Sequence, residues 1–165
     1  MGTRILLLIA ALALALIATS LTAADILPNR IPDSARIALE KAERFELLSL
    51  DPGRYRNRRP TEEFHGFRIL GSMLVTNAEI RNDLVTALKK SVEESKGLSA
   101  YCFNPRHGIS VTHDGKTNDF VICFECLQVI TLENDKKIGD FLITETPEPL
   151  FNRVLMKRNI PLAGR

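Results

Sequence analysis

The sequence predicts an α+β fold: an antiparallel sheet of about five strands with helices on one face, in the order α-β-β-α-β-β-β-α. Three observations lead there. Ile80, Leu84, Val85, Leu88 and Val92 recur at helical spacing, giving a helix with one apolar face that must lie on a sheet. Asp114-Gly115 stands between two β-prone runs and is a strong two-residue hairpin signal. Most links between elements are short, which favours antiparallel neighbours.

The elements follow in order. Asp33 is expected to open a short helix running to about Arg44, with Ile37, Ala38 and Ala42 along its apolar side. Residues 44–50, RFELLSL, read as a strand. Residues 51–63 form a long loop broken by Pro52-Gly53 and Pro60. Residues 64–75 read as a second strand, with Gly66 and Gly71 marking a bulge or a close backbone approach. Thr76-Asn77-Ala78-Glu79 has capping-box spacing before the main helix, Lys89, Lys90 and Lys96 lie toward its C-terminal end, and Gly97 fits the stop. A strand from 99–104 and 109–113, broken by Pro105-Arg106-His107-Gly108, leads into the Asp114-Gly115 turn. A long strand, 117–132, is nearly continuous in apolar residues and is expected to be central. Residues 134–139 turn, 140–144 form the last strand, and Thr146-Pro147 opens a helix with Leu150, Phe151, Val154 and Leu155 on one face.

The 165 residues allow one domain of ordinary size, placed at 33–165. Hydrophobic content of 45% with 25% charged residues excludes a disordered chain, and a net charge of +2 is too small to point to nucleic acid. No internal repeat is present. Residues 5–18 are an unbroken apolar run behind Arg4, and Thr22 and Ala24 suit cleavage ahead of Asp25. Residues 1–24 are thus expected to be a signal peptide or, through 5–24, a membrane anchor, with 25–32 as a tether. Either reading exports the domain, to a periplasmic or extracellular location where thiols tend to be oxidised.

The chemistry-bearing residues gather in residues 99–126, SAYCFNPRHGISVTHDGKTNDFVICFEC. All three cysteines lie here, so at most one intrachain bridge can form. Counting back from the Asp114-Gly115 turn, with one extra residue bulged out near Pro105, sets Cys102 opposite Cys126. The register therefore predicts a Cys102–Cys126 disulfide and a leftover Cys123 on the other sheet face. A redox Cys-x-x-Cys centre is disfavoured, because such motifs open helices while CFEC sits among β-prone residues. Zinc is an alternative, with Cys102, His107, Cys123 and Cys126 as the four legal ligands, although a knuckle needs a tight turn at Phe124-Glu125. A Cys/His hydrolase comes third, with Cys123 as nucleophile, His107 as base and Glu125 as orienting carboxylate. Arg106 is expected to pair with Glu125, hold an anion or stabilise the bulge, which makes Arg106, His107, Cys123 and Glu125 one possible functional cluster. His65 and His113 read as incidental. Arg54, Arg56, Arg58 and Arg59 around Tyr55 offer an anionic contact, weighed against a plain solvated loop.

At CFNPRHG and VICFECLQV, followed by FLIT and PLFNRVL, the chain resembles a group of small exported bacterial proteins that share a Cys-Phe-x-Pro-Arg-His segment and an Ile-Cys-Phe-x-Cys strand. The resemblance covers roughly residues 99–160. It implies a bacterial envelope setting and that Cys102, Pro105, Arg106, His107, Cys123, Glu125 and Cys126 form one unit, and it carries no activity. With no paired carboxylates, phosphate-cradling glycine loop, nucleophile elbow or HExxH helix, the sequence favours a non-enzymatic binding or envelope accessory role. The partner would be an envelope protein or an anionic surface, and no cofactor is required unless zinc occupies the cysteines.

Overall fold

The computed structural model describes residues 29–53, 62–100 and 102–164. The expected signal or anchor, the first part of the tether, and Arg54, Arg56, Arg58 and Arg59 lie outside the described residues. Among those described, no helix is long and apolar enough to cross a membrane.

The described residues form three helices and one seven-stranded sheet. The order along the chain is α1 (Asp33–Lys41), β1 (Arg44–Asp51), β2 (Glu63–Phe64), β3 (Phe67–Leu74), α2 (Ala78–Glu93), β4 (His107–His113), β5 (Lys116–Cys123), β6 (Gln128–Glu133), β7 (Lys136–Leu142) and α3 (Glu148–Met156). The fold is α+β as expected, with seven strands rather than about five. Every pairing is antiparallel, in the spatial order β2-β3-β1-β4-β5-β6-β7.

The two extra strands come from turns that the sequence reading missed. His65-Gly66 splits the expected strand 64–75, and both residues have positive φ, 51° and 87°, as a tight hairpin turn requires. Residues 124–127 split the expected strand 117–132 into β5 and β6, with Leu127 at φ 57°. The Asp114-Gly115 turn forms as expected, with His113 opposite Lys116. Residues 99, 100 and 102–104 lie in no strand, and β4 begins at His107. The pairing of β4 with β5 runs from His107–Ile122 to His113–Lys116 without a bulge. The register shifts fall instead between Ser49 and Leu50 and between Thr131 and Leu132.

All three helices cover one sheet face. Leu84 and Leu88 of α2, Leu39 of α1, and Phe151 and Leu155 of α3 share one buried cluster with Phe45, Leu47, Ile109, Phe120 and Ile122 of the sheet. Each fully buried leucine contributes about 1.5–3 kcal/mol relative to exposure. The face of α1 agrees with the expected one at Ala38 and Ala42, which are buried, and departs from it at Ile37. Ala35, Ala38 and Leu39 are inward while Ile37 is 39% exposed, because the small side chains let the helix approach the strands. Its start carries no side-chain cap, and Asp33 instead places its charge in the first turn, where the helix dipole favours it. On α2 it is Asn77 rather than Thr76 that caps, its Oδ1 accepting from the Ile80 N–H at 2.9 Å.

The opposite face carries a smaller cluster of Leu48, Leu50, Phe64 and Val121. It closes because β2 and β3 fold back over β1 and β4, where Phe64 lies against Gly108. A β-carbon at Gly108 would stand 2.8 Å from Phe64 Cε1. At the β7 edge, Asn29 takes the place of a further strand: its amide donates to Leu142 O at 2.9 Å and accepts from the Leu142 N–H at 2.7 Å. The end of the expected tether is thus docked.

Candidate functional site

The expected cysteine–histidine unit is assembled in part, with a different wiring. Strand β5 ends at Cys123, and the chain turns through Phe124, Glu125 and Cys126 to Leu127. The turn brings Cys123 and Cys126 to a Cα separation of 5.1 Å, where they form the disulfide. This overturns the Cys102–Cys126 pairing. In a straight strand, residues three apart face opposite sides. The turn cancels that alternation. Cys102 is free and exposed. Its segment does run past Cys126 as anticipated: Ala100 N–H donates to Cys126 O at 3.1 Å, and Asn104 N–H donates to Cys126 Sγ at 3.2 Å.

The wiring decides two further expectations. The zinc set of Cys102, His107, Cys123 and Cys126 does not form, because two of its thiols are bonded to each other. The hydrolase arrangement does not form either: Cys123 is held in the disulfide, and Glu125 pairs with Arg106.

His107 is buried between the rings of Phe124 and Phe151, both edge-on to it. Its Nε2–H donates to Asn152 Oδ1 at 2.8 Å. Burial lowers its pKa to about 4, outweighing the opposing effect of the Asn152 hydrogen bond. A neutral imidazole of such low basicity, already committed to an amide, is a poor general base. Arg106 reaches both Glu125 and the Gly164 carbonyl, the latter at 3.3 Å. Ser49 Oγ–H donates to Pro161 O at 2.7 Å. The cavity between Arg106, His107, Glu148 and Asn152 is about 70 Å³, too small for a substrate. The Arg106–His107 unit therefore clasps α3 and the tail after it onto the sheet.

Larger concave space lies elsewhere. A groove of about 330 Å³ opens between the end of β3, the start of α2 and the exposed side of α3. Its floor is Met73, Val75, Ile80, Leu150 and Val154, and its rim carries Arg153, Lys157, Arg158 and Asp83. Among the described residues, none of the three rim cations is paired with a carboxylate. The α2 N-terminus, the positive end of its dipole, borders the same groove at Asn77. The sequence reading found Ile80, Leu150 and Val154 as helix-face residues but saw no groove, since nothing in their spacing says that two helices diverge.

His65, set aside as incidental, lies on the other face with its Nε2–H donating to Asp119 Oδ2 at 2.7 Å. Asp135 completes a group whose ligand atoms lie within 4.8 Å of one another. His113 faces Glu43, with Nδ1 3.6 Å from the carboxylate.

Comparison with known proteins finds no matching family model, no matching curated protein and no matching solved structure.

Proposed function

We propose that this protein is a non-enzymatic binding domain of the cell envelope, exported or membrane-tethered, that takes a small anionic ligand with an apolar part in the groove between α2 and α3. The groove itself carries the reading. An apolar floor suits a hydrocarbon portion, while Arg153, Lys157 and Arg158, with the α2 N-terminus, suit an anionic head. Among the described residues Asp83 is the one carboxylate on the rim, so the local field stays positive. At about 330 Å³ the space fits a small amphiphile rather than an extended anionic surface. The envelope setting rests on the apolar run 5–18 with the small residues at Thr22 and Ala24.

Dodecyl phosphate, kept below its micelle concentration, is a suitable probe. Titration of isotope-labelled full chain should shift the amide signals of Ile80, Leu150 and Val154. Arg153→Glu combined with Lys157→Glu should abolish those shifts while leaving the remaining spectrum in place. Absence of shifts, or shifts that survive the double charge reversal, overturns the groove reading. Cell fractionation that leaves the chain in the cytosol overturns the envelope setting.

A further inference from the structure

We infer that His65, Asp119 and Asp135 form a binding site for one divalent metal ion of the zinc class, on the sheet face away from the helices and independent of the groove. The three residues come from distant parts of the chain and are brought together by two tight turns. His65 is a central residue of the β2–β3 turn, and Asp135 a central residue of the β6–β7 turn, at φ 51° and 65°. Asp119 stands on β5, three strands in from the β2–β3 hairpin.

Both turns are held in place from outside the cluster. Phe64, packed against Gly108, carries His65 across β1 and β4. Asn134 N–H donates to Thr117 O at 2.9 Å, and Thr117 N–H donates to Asn134 Oδ1 at 3.1 Å, which ties the second turn to β5 two residues from Asp119.

The observation that points to a cation is Asp119 itself. It is 8% exposed. One of its oxygens accepts from His65, while the other, Oδ1, is shut off from solvent and has no hydrogen-bond partner among the described residues. A buried carboxylate oxygen left unpartnered is costly, and a bound cation is the partner that its lone pairs suit. One imidazole and two carboxylates match zinc or manganese better than calcium or magnesium, which take all-oxygen shells. Ligand atoms on a tetrahedral zinc lie about 3.4 Å apart. That value falls between the 2.7 Å His65–Asp119 separation and the 4.8 Å limit of the group. Metal entry displaces the proton between Nε2 and Asp119. A neutral ring moves that proton to Nδ1 through solvent and releases none, whereas an imidazolium, which already carries Nδ1–H, releases the Nε2 proton to solvent. Asp135 is exposed, so the remaining coordination positions face water.

The test is competition of the metal-free full chain against a chromophoric chelator for Zn²⁺, with Mg²⁺ and Ca²⁺ as controls. The expected result is one Zn²⁺ per chain, with little response to Mg²⁺ or Ca²⁺. Asp135→Asn keeps a residue that tolerates positive φ, so the turn persists and only the ligand is lost. It should weaken Zn²⁺ binding by at least about 10-fold, no less than the loss of a residue that merely supports a ligand, and His65→Gln should do the same. Cys102→Ser should leave binding unchanged. No Zn²⁺ bound, binding that survives both Asp135→Asn and His65→Gln, or binding lost in Cys102→Ser would each overturn the assignment.

Discussion

The ring of Phe64 rests on Gly108, so closely that a β-carbon at Gly108 would lie 2.8 Å from Cε1 and 3.1 Å from Cδ1. This contact lets the β2–β3 hairpin lie over β1 and β4, and it sets His65 above Asp119. Gly108→Ala should therefore destabilise the fold by roughly 1–3 kcal/mol, the usual cost of overpacking. Urea unfolding measures that loss. The same substitution should weaken Zn²⁺ binding although Gly108 is not a ligand.

The cysteine wiring makes a chemical prediction. Under native, non-reducing conditions, alkylation should label Cys102 alone, and peptide mapping should recover Cys123 joined to Cys126. Cys102→Ser should change stability by less than about 0.5 kcal/mol, as exposed positions do. Replacing both Cys123 and Cys126 by alanine should cost about 2 kcal/mol on chain-entropy grounds, since the bridge closes only a short loop. A labelled Cys123 would contradict the arrangement.

His107 should make the fold acid-sensitive. Its pKa is lowered from 6.5 to about 4 by burial. Between those values the unfolded chain binds the proton and the folded chain does not, so stability falls as pH falls. The contribution is fully present above pH 6.5 and is lost progressively toward pH 4. Its span is about 3 kcal/mol, from the shift in pKa. His107→Gln should flatten this part of the stability–pH curve in urea titrations run from pH 7 down to pH 4.5. A slope unchanged in the variant would assign the acid sensitivity to other groups.

Capping of α2 separates two neighbouring residues. Asn77→Ala should cost about 1 kcal/mol, because the Ile80 N–H loses its acceptor. Thr76→Ala should be close to neutral, since Asn77 already serves as the cap. Thermal unfolding of the pair of variants reads the difference directly.

Much of the fold was legible in the sequence where the determining forces are local. The apolar spacing of Leu84, Val85, Leu88 and Val92 locates α2, and Asp114-Gly115 locates a turn, because each rests on backbone geometry within a few residues. The pairing of Arg106 with Glu125 was among the expected roles as well. On the apolar side of α1, Ala38 and Ala42 are buried as expected, but Ala35 and Leu39 take the place given to Ile37, as a short helix offers overlapping apolar stripes and only the sheet selects between them.

The candidate site was not legible for the same physical reason. Phe124, Glu125 and Leu127 carry no turn signal, and Leu127 adopts positive φ without being glycine or asparagine. The Cys123–Cys126 bridge and the bonds from Ala100 and Asn104 to Cys126 hold it there. His65 and Asp119 are 54 residues apart, and no spacing rule links them to Asp135. The sequence by itself determined where the three helices lie and the hairpin at Asp114-Gly115, since propensity, periodicity and turn chemistry act along the chain. Only the tertiary structure decided which cysteines meet, which helices frame a groove and which histidine faces a buried carboxylate, because those depend on how far the sheet curls and on what packs against Gly108.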